Sequence, residues 1–240
     1  MSVFTSLTII LLAMVIQAFM QLTPGIFMIF YHHSLGKTSN KKADDRSLSF
    51  ILGAEICIAI IFLAIYIIVS FFVNEKDFPS NIFLWIMFGI FLLEAIITFF
   101  FYFRPRSKKI AKSKNTTILF IPRHIAENLI YHAEQTKNRS DTIVLGMVAC
   151  VFELIFTLPL YIISSVAIFN ISINVGFVFI VAYIIIATIP LFTIRTLFRT
   201  GHNLAEIQRS RVRKKTFFRL VISISFLLLA ILIFTTIITR

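Results

Sequence analysis

Six apolar stretches, each long enough to cross a bilayer, leave this chain one class of fold. They cover roughly 3–31, 49–73, 82–103, 142–169, 173–194 and 217–238. A spanning helix needs about 20 mostly apolar residues. Within hydrocarbon, a helix satisfies every backbone donor and acceptor inside its own segment. The expected fold is therefore all-α and membrane-integral, with six transmembrane helices. Only 14% of the 240 residues are charged and 58% are hydrophobic, whereas an average soluble domain carries about 25% charge. No stretch between the spans is large enough for a separate soluble domain. The first span does not read as a cleaved leader, because no Lys or Arg precedes Lys37 and it is too long.

Charge orders the spans across the membrane. The loop at 32–48 holds Lys37, Lys41, Lys42 and Arg46. The loop at 104–141 is basic from Arg104 to Arg139, and that at 195–216 runs from Arg195 to Lys215. The second loop has only Lys76, and the fourth has no Lys or Arg at all. Basic loops stay cytoplasmic, so the odd loops are expected inside and both termini outside, in the plasma or inner membrane. Arg240 is the one terminal charge that disagrees. The net charge of +12 is then an orienting charge. "RSRVRKK" (209–215) reads as an anchor on anionic lipids, and no nucleic-acid partner is expected.

Six spans divide into three and three. Residues 1–103 form the first three-helix repeat, 104–141 a basic cytoplasmic linker, and 142–240 the second repeat. An odd number of helices per half inverts the second half, which makes the expected architecture a 3+3 inverted repeat. "FLLEAIITFF" (91–100) and "FLLLAILIFT" (226–235) are weakly alike. Within the linker, Ile121, Ile125, Leu129 and Ala133 fall on one face of 120–137, which reads as a cytoplasmic amphipathic helix lying on the membrane or capping the pore. "LAEIQRSR" (204–211) reads as a shorter one.

The first helix of each half carries the polar chemistry. Span one reads "QAFMQLTPGIF" (17–27) and span four "CVFELIFTLPLY" (150–161). Each places a polar residue, then Thr, then Pro24 or Pro159. Proline frees a backbone carbonyl, and Gly25 weakens the first helix further. Gln17, Gln21 and Pro24 share one helical face, and so do Gly146, Cys150, Glu153 and Thr157. Paired interruptions of this kind are the best sequence pointer to a transporter site. Prolines that merely kink their helices, with neighbouring helices satisfying the freed groups, are the blander alternative.

Three carboxylates lie inside the spans: Glu153, Glu94 and Glu55. A charge at the bilayer centre costs at least about 2.5–3.5 kcal/mol, so an acid kept there faces protein or water. Glu153, beside Pro159, is the leading candidate for a substrate or ion pathway. Glu94 follows, with Thr98 one turn on. Glu55 lies nearer the cytoplasmic end, where snorkelling to water explains it equally well. Pairing with Arg195 or Arg219 would make one of these acids structural. His32 and His33 are adjacent, so they point to different helix sides and do not form a metal pair. Cys57 and Cys150 read as small packing residues. No HExxH or Cys-x-x-Cys pattern occurs. Neither enzyme activity nor a metal or other cofactor is expected.

The two triplets, with "LTPG" in helix one and "FELIFTLP" in helix four, resemble the lysine-exporter superfamily. That group includes amino-acid and metal exporters and the cytochrome c biogenesis transmembrane proteins. The resemblance implies transport of a small solute or cation, coupled to protons or ions through Glu153 and Glu94. The relay proteins of that group set a Cys beside each helix-breaking Pro. Here Gly25 follows Pro24 and Leu160 follows Pro159, which argues against thiol-disulfide electron relay. A membrane scaffold that binds a partner and transports nothing is the principal alternative.

Overall fold

The computed structural model describes residues 2–22, 25, 40–73, 79–103, 131–132, 138–171, 173–200 and 204–239. The described residues form helices and turns, with no strand. The six long helices are α1 (Val3–Met20), α2 (Asn40–Val73), α3 (Asn81–Phe103), α4 (Arg139–Phe169), α5 (Ile173–Arg199) and α6 (Leu204–Ile238). Five of them are long and apolar enough to cross a membrane, and α4 makes six if its two arms count as one span. Large side chains such as Phe71, Phe100, Ile82 and Phe177 are exposed along their flanks, as a lipid-facing surface requires.

Four helices begin or end differently from the hydropathy pattern. α2 starts at Asn40, α4 at Arg139 and α6 at Leu204, and α5 runs on to Arg199. All four extensions lie at the basic end of the bundle. Apolar content marks the lipid-buried length, but a helix continues into the interface as long as its backbone bonds continue. "LAEIQRSR" is thus the first two turns of α6, not a separate helix. The helix expected at 120–137 falls outside the described residues, apart from Tyr131 and His132.

α1 also departs from expectation: its regular turns end at Met20, Gln21 and Leu22 form a turn, and residues 26–31 of the expected span lie outside the described residues. Gln21 caps it, donating its backbone N–H to the Gln17 carbonyl at 3.0 Å. The reason is covalent: Pro24 has no N–H to offer the carbonyl four residues back, at Met20. Pro24 itself lies outside the described residues. The amide of Gly25 returns to the Gln21 carbonyl at 3.3 Å. At its start, α1 is held by Ser2, whose hydroxyl accepts from the Thr5 amide at 3.1 Å.

α4 is the hub. It packs on α1 and α2, and more lightly on α3 and α5. Between Leu154 and Phe156 its axis turns by 81°. That point lies four residues before Pro159, where the proline ring displaces the carbonyl it cannot bond. α2 and α4 run parallel in rising register: Asp45 meets Arg139, Ala54 meets Cys150, Phe62 meets Tyr161 and Tyr66 meets Phe169. At their crossing the two backbones meet, for a covalent reason. A Cβ on Gly53 would run into the Ile143 carbonyl, and one on Gly146 into the Phe50 carbonyl. Each glycine is followed four residues later by a buried cysteine, Cys57 or Cys150, a small-xxx-small spacing that lets backbones meet. α3 pairs mainly with α6 through aromatic rings and the Ser223 hydroxyl, which donates to the Ala95 carbonyl at 2.9 Å.

Candidate functional site

The break in α4 and the end of α1 come together in the middle of the bundle. Gln21 is fully buried, and its Nε2 donates to Glu153 Oε2 at 3.0 Å. Glu153 is 3% exposed and sits immediately before the bend. Cys150 Sγ lies 3.7 Å from Gln21 Nε2 and 3.9 Å from the Ala54 carbonyl oxygen. One turn past Glu153, the Thr157 hydroxyl donates back to the Glu153 carbonyl at 3.2 Å. On α1, Gln17 Nε2 donates to the Tyr161 hydroxyl at 3.1 Å. Gln17 Oε1 is buried with no hydrogen-bond partner among the described residues.

The arrangement follows from helical spacing. Gln17 and Gln21 are one turn apart on the face of α1 that meets α4. Cys150, Glu153, Thr157 and Tyr161 climb the facing side of α4 at steps of three or four residues. Breaking both helices here leaves the carbonyl of Ile155 without its usual N–H, because Pro159 has none. Amide, carboxylate, hydroxyl and thiol groups thus converge where water is excluded. A neutral amide on a carboxylate satisfies part of its need for donors without cancelling its charge. Such a site suits a group that exchanges a proton or a small cationic species.

An aromatic layer lies on one side of this cluster. Phe62 of α2 stacks on Tyr183 of α5 with ring centroids 4.8 Å apart, and meets Tyr161 edge-on at 5.6 Å. On the other side, at the basic end, ions close the bundle. Arg195 of α5 grips Asp44 of α2 with two bonds, Nε at 2.8 Å and Nη2 at 2.9 Å. Arg199 lies 3.9 Å from the same carboxylate, and Arg139 of α4 reaches Asp45 at 2.6 Å.

The remaining acids sit elsewhere. Glu94, also buried, lies on α3 beside the α6 seam, with Thr98 buried one turn on. Its Oε2 has no hydrogen-bond partner among the described residues, and it makes no hydrogen bond to the Gln21–Glu153 cluster. Glu55 is half-buried, and the Thr188 hydroxyl of α5 donates to its Oε1 at 3.1 Å. Arg195 is taken by Asp44, so it pairs with none of the three intramembrane acids. Pro24, His32 and His33 lie outside the described residues. Among the described residues, no three His, Cys, Asp or Glu side chains are grouped to hold a metal.

Sequence reasoning missed Tyr161, Thr188 and the Asp44–Arg195 pair. Tyr161 was within reach, since it continues the Glu153–Thr157 face by one further turn. Thr188 and Arg195 were not, because nothing in a single sequence says which helix α5 will face. No family model, curated protein or solved structure matches the chain, so its function has to be argued from this cluster.

Proposed function

We propose that the chain is a multi-pass transporter that moves a small solute or cation across a plasma or inner membrane, with a proton or ion exchanged at Glu153. One observation carries the reading. A carboxylate buried at a helix break is held by an amide from a second helix that also ends there. Ionisable groups inside spans are costly and tend to mark pathways, and broken helices expose backbone only where it lines a site. Glu94 is the second candidate acid, on its own seam.

An inverted repeat fits the way the helices pair. Exchange of α1 with α4, α2 with α5 and α3 with α6 sends α2–α4 onto α1–α5 and α1–α6 onto α3–α4. All four of these contacts are present, as are the self-paired α1–α4, α2–α5 and α3–α6. The α4–α5 contact lacks an equally close α1–α2 counterpart. The basic charge of that end supports a cytoplasmic Asp44–Arg195 side and extracytoplasmic termini. Membership of the lysine-exporter superfamily is the family reading consistent with this plan.

The test uses purified protein in proteoliposomes on a solid-supported membrane, challenged with a panel of amino acids and of alkali and divalent cations. Wild type should give a current with at least one member of the panel. Glu153→Gln should lose it by tenfold or more, with a thermal midpoint close to wild type. Full current in that variant removes Glu153 from the mechanism. A silent wild type across the panel would favour the scaffold reading.

A further inference from the structure

The candidate site is closed on two sides by different means. Three large buried rings from α2, α4 and α5 cover it towards one end of the bundle. Towards the basic end, the cover is the last part of α5. Asp44 lies ten residues from Ala54 along α2, about 15 Å at 1.5 Å per residue. Over that distance α5 touches α2 through polar contacts. The Arg195–Asp44 pair is part-buried, at 18% and 25% side-chain exposure. The inner contact is Thr188 on Glu55, where a single hydroxyl proton also has the Ile184 and Ile185 carbonyls within 3.2 Å and 3.1 Å.

Between these two contacts stands Pro190, inside α5. It leaves the Ile186 carbonyl without its usual donor, a ready place for a helix to bend. Past Pro190, the Leu191 and Ile194 side chains pack on Gly25, which lies four residues after Gln21 of the cluster. A side chain at Gly25 would collide with Ile194. The end of α5 therefore lies over the broken end of α1 and is clipped to α2 by charge. α2 and α4 are held differently, backbone against backbone at Gly53 and Gly146.

We infer that residues 190–199 of α5 are a hinged gate on the cytoplasmic side of the Gln21–Glu153 site, bending at Pro190 and latched shut by Arg195 on Asp44. The gate rests on the transport reading, since only a site that changes sides needs one. Opening it breaks hydrogen-bonded ions at a wet edge and leaves the buried rings in place. The pair lies at an edge that solvent still reaches, at 18% and 25% side-chain exposure, so it can break on the timescale of gate opening, while its two-pronged geometry fixes the closed position.

Cys150 reports on this motion without any knowledge of the solute. The chain has two cysteines, so in a Cys57→Ala background Cys150 is the only thiol, buried beside Gln21. Its alkylation by N-ethylmaleimide is followed by mass spectrometry in proteoliposomes. Asp44→Asn should speed labelling about tenfold. The reciprocal swap, Asp44→Arg with Arg195→Asp, should restore it to within about twofold of the background. Pro190→Ala should slow it below the background. Unchanged labelling in Asp44→Asn overturns the latch. So does a swap that fails to restore slow labelling, which also covers the case where Asp44→Asn merely loosens the fold. Unchanged or faster labelling in Pro190→Ala overturns the hinge. A chain that labels as described but transports nothing would keep the hinge and the latch as a motion of α5 and lose the transport reading, and with it the gate's role.

Discussion

The α2–α4 seam and the α3–α6 seam solve the same problem by opposite means. Both press two helices together in a solvent where lipid is as apolar as any side chain, so exclusion from water does not drive them together. α2 and α4 remove side chains, and glycine at 53 and 146 lets backbone meet backbone. α3 and α6 add side chains: Phe91 stacks on Phe226 at 6.1 Å, Phe88 tilts against Phe234 at 5.4 Å, and Trp85 meets Phe234 edge-on at 6.0 Å. At Gly53 and Gly146 the first seam leaves nothing that can move aside, although further along it Phe62 meets Tyr161 and Tyr66 meets Phe169 ring against ring. The second is made of rings that can reorient. The polar site grows from the rigid seam, with Cys150 on the Ala54 carbonyl and Glu153 one turn further on. Glu153 is thus carried next to a crossing where backbone meets backbone.

Substitutions can break that contrast. The largest effect should come from Gly53→Ala and Gly146→Ala. In each, one methyl group meets a backbone carbonyl that cannot yield. Each should destabilise the protein by about 3 kcal/mol, read as a fall in the thermal or SDS-unfolding midpoint of purified protein. Near-wild-type stability would mean that the two seams are equally soft. Phe91→Leu should cost less, about 1 kcal/mol, because the neighbouring rings can close over the change; a loss as large as that at Gly53 would remove the distinction from the other side. The smallest effect should come from Gly89→Ala on α3, where a Cβ meets nothing within 4 Å. There alanine should stabilise by about 0.5 kcal/mol through helix propensity alone. A destabilising Gly89→Ala would reveal a packing partner on that exposed face.

The sequence carried the spans and the polar face, because both are written in local periodicity. Gln17 and Gln21 share a face by spacing, as do Cys150, Glu153 and Thr157, and the structure sets the two faces against each other. The site of the α4 bend was also legible, since a proline acts four residues upstream of itself. Its 81° size was not, because neighbouring helices set how far a freed turn opens. The Gly53–Gly146 crossing was half legible. The spacing Gly-xxx-Cys occurs twice, but only the assembled bundle shows that the two copies meet. Thr188 on Glu55 and Arg195 on Asp44 were hidden, since each joins residues more than 130 positions apart. The early start of α2 at Asn40 was missed for a different reason: Asp44 and Asp45 look like loop when hydropathy is the guide, yet they anchor the helix end.

The Gly53–Gly146 crossing also bears on how the chain is made. α2 belongs to the first half and α4 to the second, and they enter the membrane side by side in the same direction. The ribosome reaches Gly146 about 90 residues after Gly53, on the order of 5–20 s later at about 5–20 residues per second. Through that interval α2 stands in the bilayer or at the insertion machinery with its glycine groove uncovered and Glu55 without Thr188. Completion of the first three helices therefore does not complete a folding unit, and whatever shelters nascent α2 has to hold it until the second half arrives.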